Sequence, residues 1–196
     1  MRKLCAITLA VPVLLCAAFV QAGVFQVKPG APNQVVFTSK ATAETFQGKT
    51  DKISGRITLD PAQVSDSVTV YMEVDLASLN TGLGKRDQHM RENHLETKKY
   101  PKAIFQGATL RSESAGKLVA GSPTKFDVEG AFTLHGVTRR MRATVEVLLQ
   151  DDRTLQFKTE FPVALAEHKI ERPKFLFLKL ADVQQVAVTG TAILAP

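Results

Sequence analysis

From Gly23 onward the chain is written in a period of two. Val68, Val70, Met72, Val74 and Leu76 alternate with Thr69, Tyr71, Glu73 and Asp75, the pattern of a strand with one buried face. Ile53, Gly55, Ile57 and Leu59 alternate likewise with Lys52, Ser54, Arg56 and Thr58, and Asp60-Pro61 closes that run. Phe126, Val128, Phe132 and Leu134 share a face that Gly130 interrupts, marking a bend or a point of close approach. Met141, Ala143, Val145, Val147 and Leu149 stand against Arg140, Arg142, Thr144 and Glu146. Leu155, Phe157, Thr159, Phe161 and Val163 repeat the pattern, and a last run spans Val183 to Leu194. Phe25–Lys28, Gln34–Ser39 and Ala103–Leu110 carry weaker versions of it.

Between two of the long runs, His135-Gly136 has the chemistry of a two-residue hairpin turn with positive φ at both positions. That turn sets Leu134 opposite Val137. Ala41–Gln47 breaks the period and predicts a short helical turn ending near Gly48. Gly82–Lys99 is long, polar and charged; Lys85–Arg91 within it predicts another helical turn, and an excursion of this length is usually a lid or a functional loop. Eight or more one-faced strands with little helix imply a sandwich or a barrel, and closure into a barrel removes exposed edges. Such a barrel is filled by its own side chains or holds one slender ligand, and periodicity does not separate the two.

The chain's first segment changes the compartment. Arg2 and Lys3 precede an apolar run from Leu4 to Val20, and Val20-Gln21-Ala22 supplies small residues before Gly23. Residues 1–22 are therefore expected to be a bacterial signal peptide, leaving residues 23–196 as one exported, periplasmic domain. Both cysteines, Cys5 and Cys16, fall inside the removed segment, so the mature chain is expected to have no disulfide or thiolate chemistry. The full sequence is 44% hydrophobic, and what remains after the apolar leader is enough for one good core. Loss of Arg2 and Lys3 lowers the formal charge from +6 to +4, a balance compatible with transient contact at anionic membrane surfaces. Nucleic acid is not an expected partner, because the basic residues are not interleaved with aromatics.

The segment Val74-Asp75-Leu76-Ala77-Ser78-Leu79-Asn80-Thr81-Gly82 leads into Lys85-Arg86-Asp87-Gln88-His89, then into Tyr100-Pro101-Lys102-Ala103-Ile104-Phe105. With the later Leu134-His135-Gly136-Val137-Thr138 block, this order resembles the YceI-like family across roughly Val24 to Leu194. The resemblance implies an all-β, closed antiparallel lipocalin-like barrel of about eight strands with one or two short helical excursions. It also implies a long amphiphilic lipid, of polyisoprenoid or fatty-acyl type, in a hydrophobic pore. The family's tryptophan near the mature N-terminus and its histidine after the second strand's phenylalanine are not matched here.

Candidate pore-wall residues are Phe37, Phe46, Val70, Met72, Val74, Phe105, Phe126, Val128, Phe132, Leu134 and Phe157. At the pore mouth, Lys85 and Arg86 are candidates to hold an anionic headgroup, with Asp87 and His89 orienting them. The competing role for Asp87 is a cap that shapes the excursion. His89 and His94, with Glu92 and Glu96 nearby, are not spaced to share one helical face, so no metal site is expected. His168 lies in a charge-rich connector that reads as a solvated loop, and the arginines at 139, 140 and 142 read as ordinary surface. No nucleophile elbow, phosphate loop or dinucleotide fingerprint is present, so the expectation is a binder without catalysis or cofactor. The alternative is a barrel packed solid that serves as a protein–protein interaction module. The sequence leaves oligomeric state open.

Overall fold

The alternating runs become an antiparallel meander, seen in a computed structural model that describes residues 22–41, 44–64, 68–111, 117–172, 174–175 and 178–196. The expected signal peptide, with Cys5 and Cys16, lies outside the described residues apart from Ala22. The strands are β1 (Gly23–Val27), β2 (Gln34–Lys40), β3 (Thr45–Thr50), β4 (Ile53–Leu59), β5 (Thr69–Asp75) and β6 (Lys102–Arg111). They continue as β7 (Pro123–Leu134), β8 (Val137–Asp151), β9 (Thr154–Ala164), β10 (Lys174–Phe175), β11 (Leu178–Lys179) and β12 (Val183–Leu194). One helix, α1 (Gly84–His89), runs into a wider helical turn at Met90–His94.

Hydrogen bonding proceeds β1–β4–β5–β6–β7–β8–β9–β12, and β12 returns to β1 through Phe25↔Leu194 and Gln26↔Ile193. Farther along, β12 pairs instead with β2, and β2 pairs with β3. Thus β1 and β2 form one wall strand broken at residues 28–33, and β3 and β4 form another broken at Asp51-Lys52. The result is a closed, antiparallel, eight-stranded barrel, with β10–β11 as a separate two-stranded ribbon. Asn33 pins the first break: its Nδ2 donates to the Lys28 carbonyl at 2.6 Å, and its Oδ1 accepts from Thr191 N–H at 2.7 Å.

Register places one apolar set inside. Phe25 pairs with Ile57, Met72 with Phe105, Phe105 with Phe132, Phe126 with Val145, and Phe157 with Val147. The connections after β4, β6 and β8 gather with the chain's end at one end of the barrel, the floor. Those after β2, β5, β7 and β9 gather at the other, the mouth. The floor is packed: Phe25, Leu59, Val64, Leu118, Leu155 (0% exposed) and Ala192 form a fully buried cluster. Leu118 and Val64 come from the floor loops, which Leu118 N–H ties together by donating to the Pro61 carbonyl at 2.8 Å.

The His135-Gly136 turn has φ of 51° and 71° and sets Leu134 opposite Val137, as its chemistry dictates. Ala41–Gln47 is different. The expected helical turn is replaced from Thr45 onward by β3, while 42–43 lie outside the described residues. The period-two signal fails there for a physical reason. Gly48 points inward, but a Cβ on it would come within 2.2 Å of the Phe37 ring, and inward Thr50 bonds Ser78 Oγ through its hydroxyl. Only Phe46 is left to announce the face.

Two more inward glycines act in the same way. A Cβ on Gly130 would meet the Phe105 ring at 2.7 Å, and one on Gly190 would meet Phe157 at 2.4 Å. In each case a phenyl ring lies flat in a dent that a missing side chain provides. Next to Gly130, β6 slips register between Gln106 and Thr109 at Gly107, whose φ is 135°.

Candidate functional site: a lidded apolar lumen

All the candidate wall residues fall on the inward face. Their environments divide them. Phe126, Val128 and Phe157 are fully buried in the floor cluster, and Leu134 in a second cluster near the mouth. Phe37, Phe46, Val70, Met72, Val74, Phe105 and Phe132 stay half-buried although they point into a closed barrel. Phe161, Val186, Val188, Val145 and Val147 share that half-buried inward state. Most of these half-buried side chains pack against the two buried clusters. Aromatic groups among them meet edge to face: Phe37 with Phe46 at 6.3 Å and Phe132 with Phe161 at 6.0 Å.

The mouth is covered by the β5–β6 excursion. Asp75 starts it by accepting from Ala77 N–H at 2.9 Å, and Leu76 and Leu79 then turn down into the mouth cluster. Asn80 hydrogen-bonds Lys49 on β3 in both directions, at 2.9 and 3.0 Å. Asp87, 4% exposed, accepts from Thr81 N–H at 2.8 Å and Thr81 Oγ1 at 2.6 Å. The role in shaping the excursion is therefore visible for Asp87. Arg86 donates from Nε to Thr81 Oγ1 (2.9 Å), from Nη2 to the Thr81 carbonyl (3.1 Å) and from Nη1 to Glu44 (3.1 Å), and stacks 3.9 Å above the Phe46 ring. Its guanidinium is committed to holding the excursion against the β2–β3 turn. Lys85 is exposed, with no ion pair among the described residues; His89 is exposed beside Asn93.

A histidine pair fastens the other side of the lid. His135 Nε2 meets Glu96 Oε2 at 2.6 Å, its Nδ1 donates to the His168 carbonyl at 3.1 Å, and the Tyr100 ring packs edge-on at 4.6 Å. His168 is not in a solvated loop. It is 3% exposed, donates from Nδ1 to the Val137 carbonyl at 3.1 Å and sets its ring edge-on to Phe132 at 5.4 Å. The charged neighbours Glu167 and Lys169 mask this in the sequence; the pointer was the apolar pair Leu165 and Ile170 on either side, both buried.

His89 and His94 lie 6.4 Å apart, and among the described residues no group of three or more potential ligands converges on a metal position. His94 instead donates to the Glu171 carbonyl at 3.0 Å, and burial, aided by nearby His89, holds its pKa below the ordinary 6.5 against the pull of that carbonyl. Folded protein thus takes up this proton less readily than unfolded chain. The resulting stabilisation is present above pH 6.5 and is lost as the pH falls through the lower folded value. Thermal unfolding at pH 7.5 and 5.5 is expected to show a larger acid loss in the unmodified protein than in His94→Gln.

On the outer wall, Arg140 pairs with Glu129, and Arg142 with Asp127 at 2.7 Å. A depression of about 400 Å³ at the Gly107 bulge lies on this outer surface, apart from the lumen.

By fold, then, this is a lipocalin-like barrel: closed, antiparallel, apolar within, packed at one end and lidded at the other. Residues 25–192 match the YceI-like domain, and the chain belongs to that family. A UPF0312 protein of Vibrio parahaemolyticus is 31% identical over 102 residues, 52% of this chain and 49% of that protein. A UPF0312 protein of Vibrio cholerae is 29% identical over 104 residues, 53% of this chain and 50% of that protein. The matched segment spans about half the length of these curated relatives. Among solved structures, a polyisoprenoid binding domain from Saccharophagus degradans, implicated in plant cell wall breakdown, superposes with a TM-score of 0.71 at 17% identity. It covers 89% of this chain and 100% of that one. Burkholderia cenocepacia BcnA follows the same fold with a TM-score of 0.68 at 22% identity, covering 82% and 96%.

Proposed function

We propose that the mature chain is a periplasmic, non-enzymatic carrier that binds one long apolar amphiphile, of polyisoprenoid or fatty-acyl type, in the barrel lumen. The observation that carries this reading is the half-buried apolar ring around Phe37, Met72, Phe105, Phe132 and Val186, between a packed floor and a hydrogen-bonded lid. Moving a ligand chain from water onto that surface contributes about 0.8 kcal/mol per methylene before ordering costs. Membership of the YceI-like family, and the polyisoprenoid binding for which the Saccharophagus domain is named, support the same ligand class.

Loading is assigned to the mouth. There Leu83, 57% exposed between Gly82 and Gly84, stands next to exposed Lys85, an apolar tip beside a cation suited to brief contact with an anionic bilayer. Arg86 serves the lid in this reading, and Lys85 serves the membrane.

The test is native mass spectrometry of protein prepared from the periplasm, followed by solvent extraction. The expected result is a stoichiometric long-chain lipid. A bare protein that also fails to take up prenyl or fatty-acyl probes would favour the interaction module instead.

A further inference from the structure

The mouth end of the lumen holds two polar groups that the barrel leaves unanswered. Ser39 on β2 and Gln184 on β12 lie one residue beyond Thr38 and Gln185, the last pair of the β2–β12 ladder at this end, before the register shifts at the Ala41–Leu180 bridge. Both are on the inward face, one rung toward the mouth from half-buried Phe37 and Val186. Ser39 is 0% exposed and Gln184 6%. Gln184 Nε2 donates to the Ala181 carbonyl at 2.7 Å, which fixes the amide so that Oε1 is its free end. Among the described residues, neither Ser39 Oγ nor Gln184 Oε1 has a hydrogen-bond partner, and they do not bond each other.

The rest of the barrel does not tolerate such groups. Buried Asn33, Thr50, Asp87 and His168 all have partners: Lys28 and Thr191, Ser78, Thr81, and Val137 respectively. Leaving buried polar atoms unpaired is costly, and an apolar residue at either position would avoid the cost. The neighbours are indeed apolar: Phe46 lies across from Ser39 and Val163 across from Gln184.

We propose that Ser39 and Gln184 form a hydroxyl-recognition site, which selects a neutral amphiphile with an alcohol at its polar end. The proposal rests on the lumen being the ligand site. Gln184 Oε1 only accepts, whereas Ser39 Oγ both donates and accepts. Both atoms are enclosed by neighbouring side chains, so the mouth cluster must part to admit a ligand, whose hydroxyl then donates to Gln184, accepts from Ser39 and satisfies both at once. An ether accepts from Ser39 and leaves Oε1 bare. A phosphate or carboxylate brings further lone pairs against Oε1, and the nearby Arg86 guanidinium is already engaged by Thr81 and Glu44.

The experiment is displacement of the fluorophore N-phenyl-1-naphthylamine from the protein by geranylgeraniol, its methyl ether and geranylgeranyl phosphate. The alcohol is expected to displace at about tenfold lower concentration than the ether, with the phosphate weakest. In Gln184→Leu the alcohol's advantage shrinks to within about twofold, whereas Ser39→Ala, which removes a bond that alcohol and ether share, weakens both by a similar factor and leaves the advantage in place. Equal midpoints for alcohol and ether in the unmodified protein, as a pair that holds only an internal water would give, overturn the hydroxyl site and leave the lumen reading standing. A phosphate that binds tightest also overturns it. Failure of the fluorophore and all three ligands to bind overturns both. The comparison on unmodified protein decides the matter even where a variant does not fold.

Discussion

Phe132→Arg is expected to abolish uptake of a fluorescent prenyl or fatty-acyl probe, weakening it by more than about a hundredfold. Phe132 lies on the inward face among Phe105, Phe161 and His168, at the height where the apolar surface is half-buried. A guanidinium there has no acidic partner among the described inward residues, and an unpaired charge in an apolar enclosure costs several kcal/mol. It also projects into the path proposed for the ligand. Met72→Arg, on the neighbouring strand pair, should behave alike. Phe132→Leu keeps an apolar wall and should bind within a few-fold of normal. Thermal unfolding separates a blocked lumen from a broken barrel: a variant that stays folded and binds the probe normally would place Phe132 outside the ligand's path.

The second large effect belongs to the floor. Phe25→Ala removes a ring that is fully buried against Ile57 and Leu59, in the cluster that closes the barrel. Large-to-small changes of this kind cost about 3–5 kcal/mol. The loss should appear as a lower midpoint in urea with little change of slope. A second consequence distinguishes the floor from the lumen. Phe25 is packed tight among the floor side chains, so variants that remain folded should keep most of their probe affinity. Retained stability would mean that the floor loops re-close without the ring.

Where a strand's inward positions carry large side chains, as in Val70-Met72-Val74 or Phe126-Val128, its face was plain from alternation alone. Every wall candidate lies in the inward set, because a strand's two faces differ so sharply in polarity. What alternation did not encode is depth. Phe126, Val128 and Phe157 share a face with Phe132, but floor loops from distant parts of the chain bury them. The β3 strand was illegible because two of its inward positions are Gly48 and Thr50. His168 was hidden by charged neighbours, although Leu165 and Ile170 showed that the connector had to fold inward. Ser39 and Gln184 sat in phase with Phe37 and Val186 all along; a polar residue on an apolar face was the signal, and its meaning needed the register between β2 and β12. Arg86 read as a free cation because its partners, Thr81 and Glu44, come together only once the excursion has docked on the β2–β3 turn.

The flat-lying rings of Phe37, Phe105 and Phe157 have a consequence for how such barrels diverge. Each ring is kept against the wall only by the missing methyl of Gly48, Gly130 or Gly190. An alanine at position 48, where the nearest atoms all belong to the Phe37 ring, would swing that ring toward the axis, whereas at positions 130 and 190 it would also meet the Gln106 carbonyl at 2.8 Å and Asn33 Oδ1 at 3.0 Å. Under the carrier reading proposed above, a single change at Gly48 would therefore narrow the interior near the mouth without altering the β2–β3 ladder.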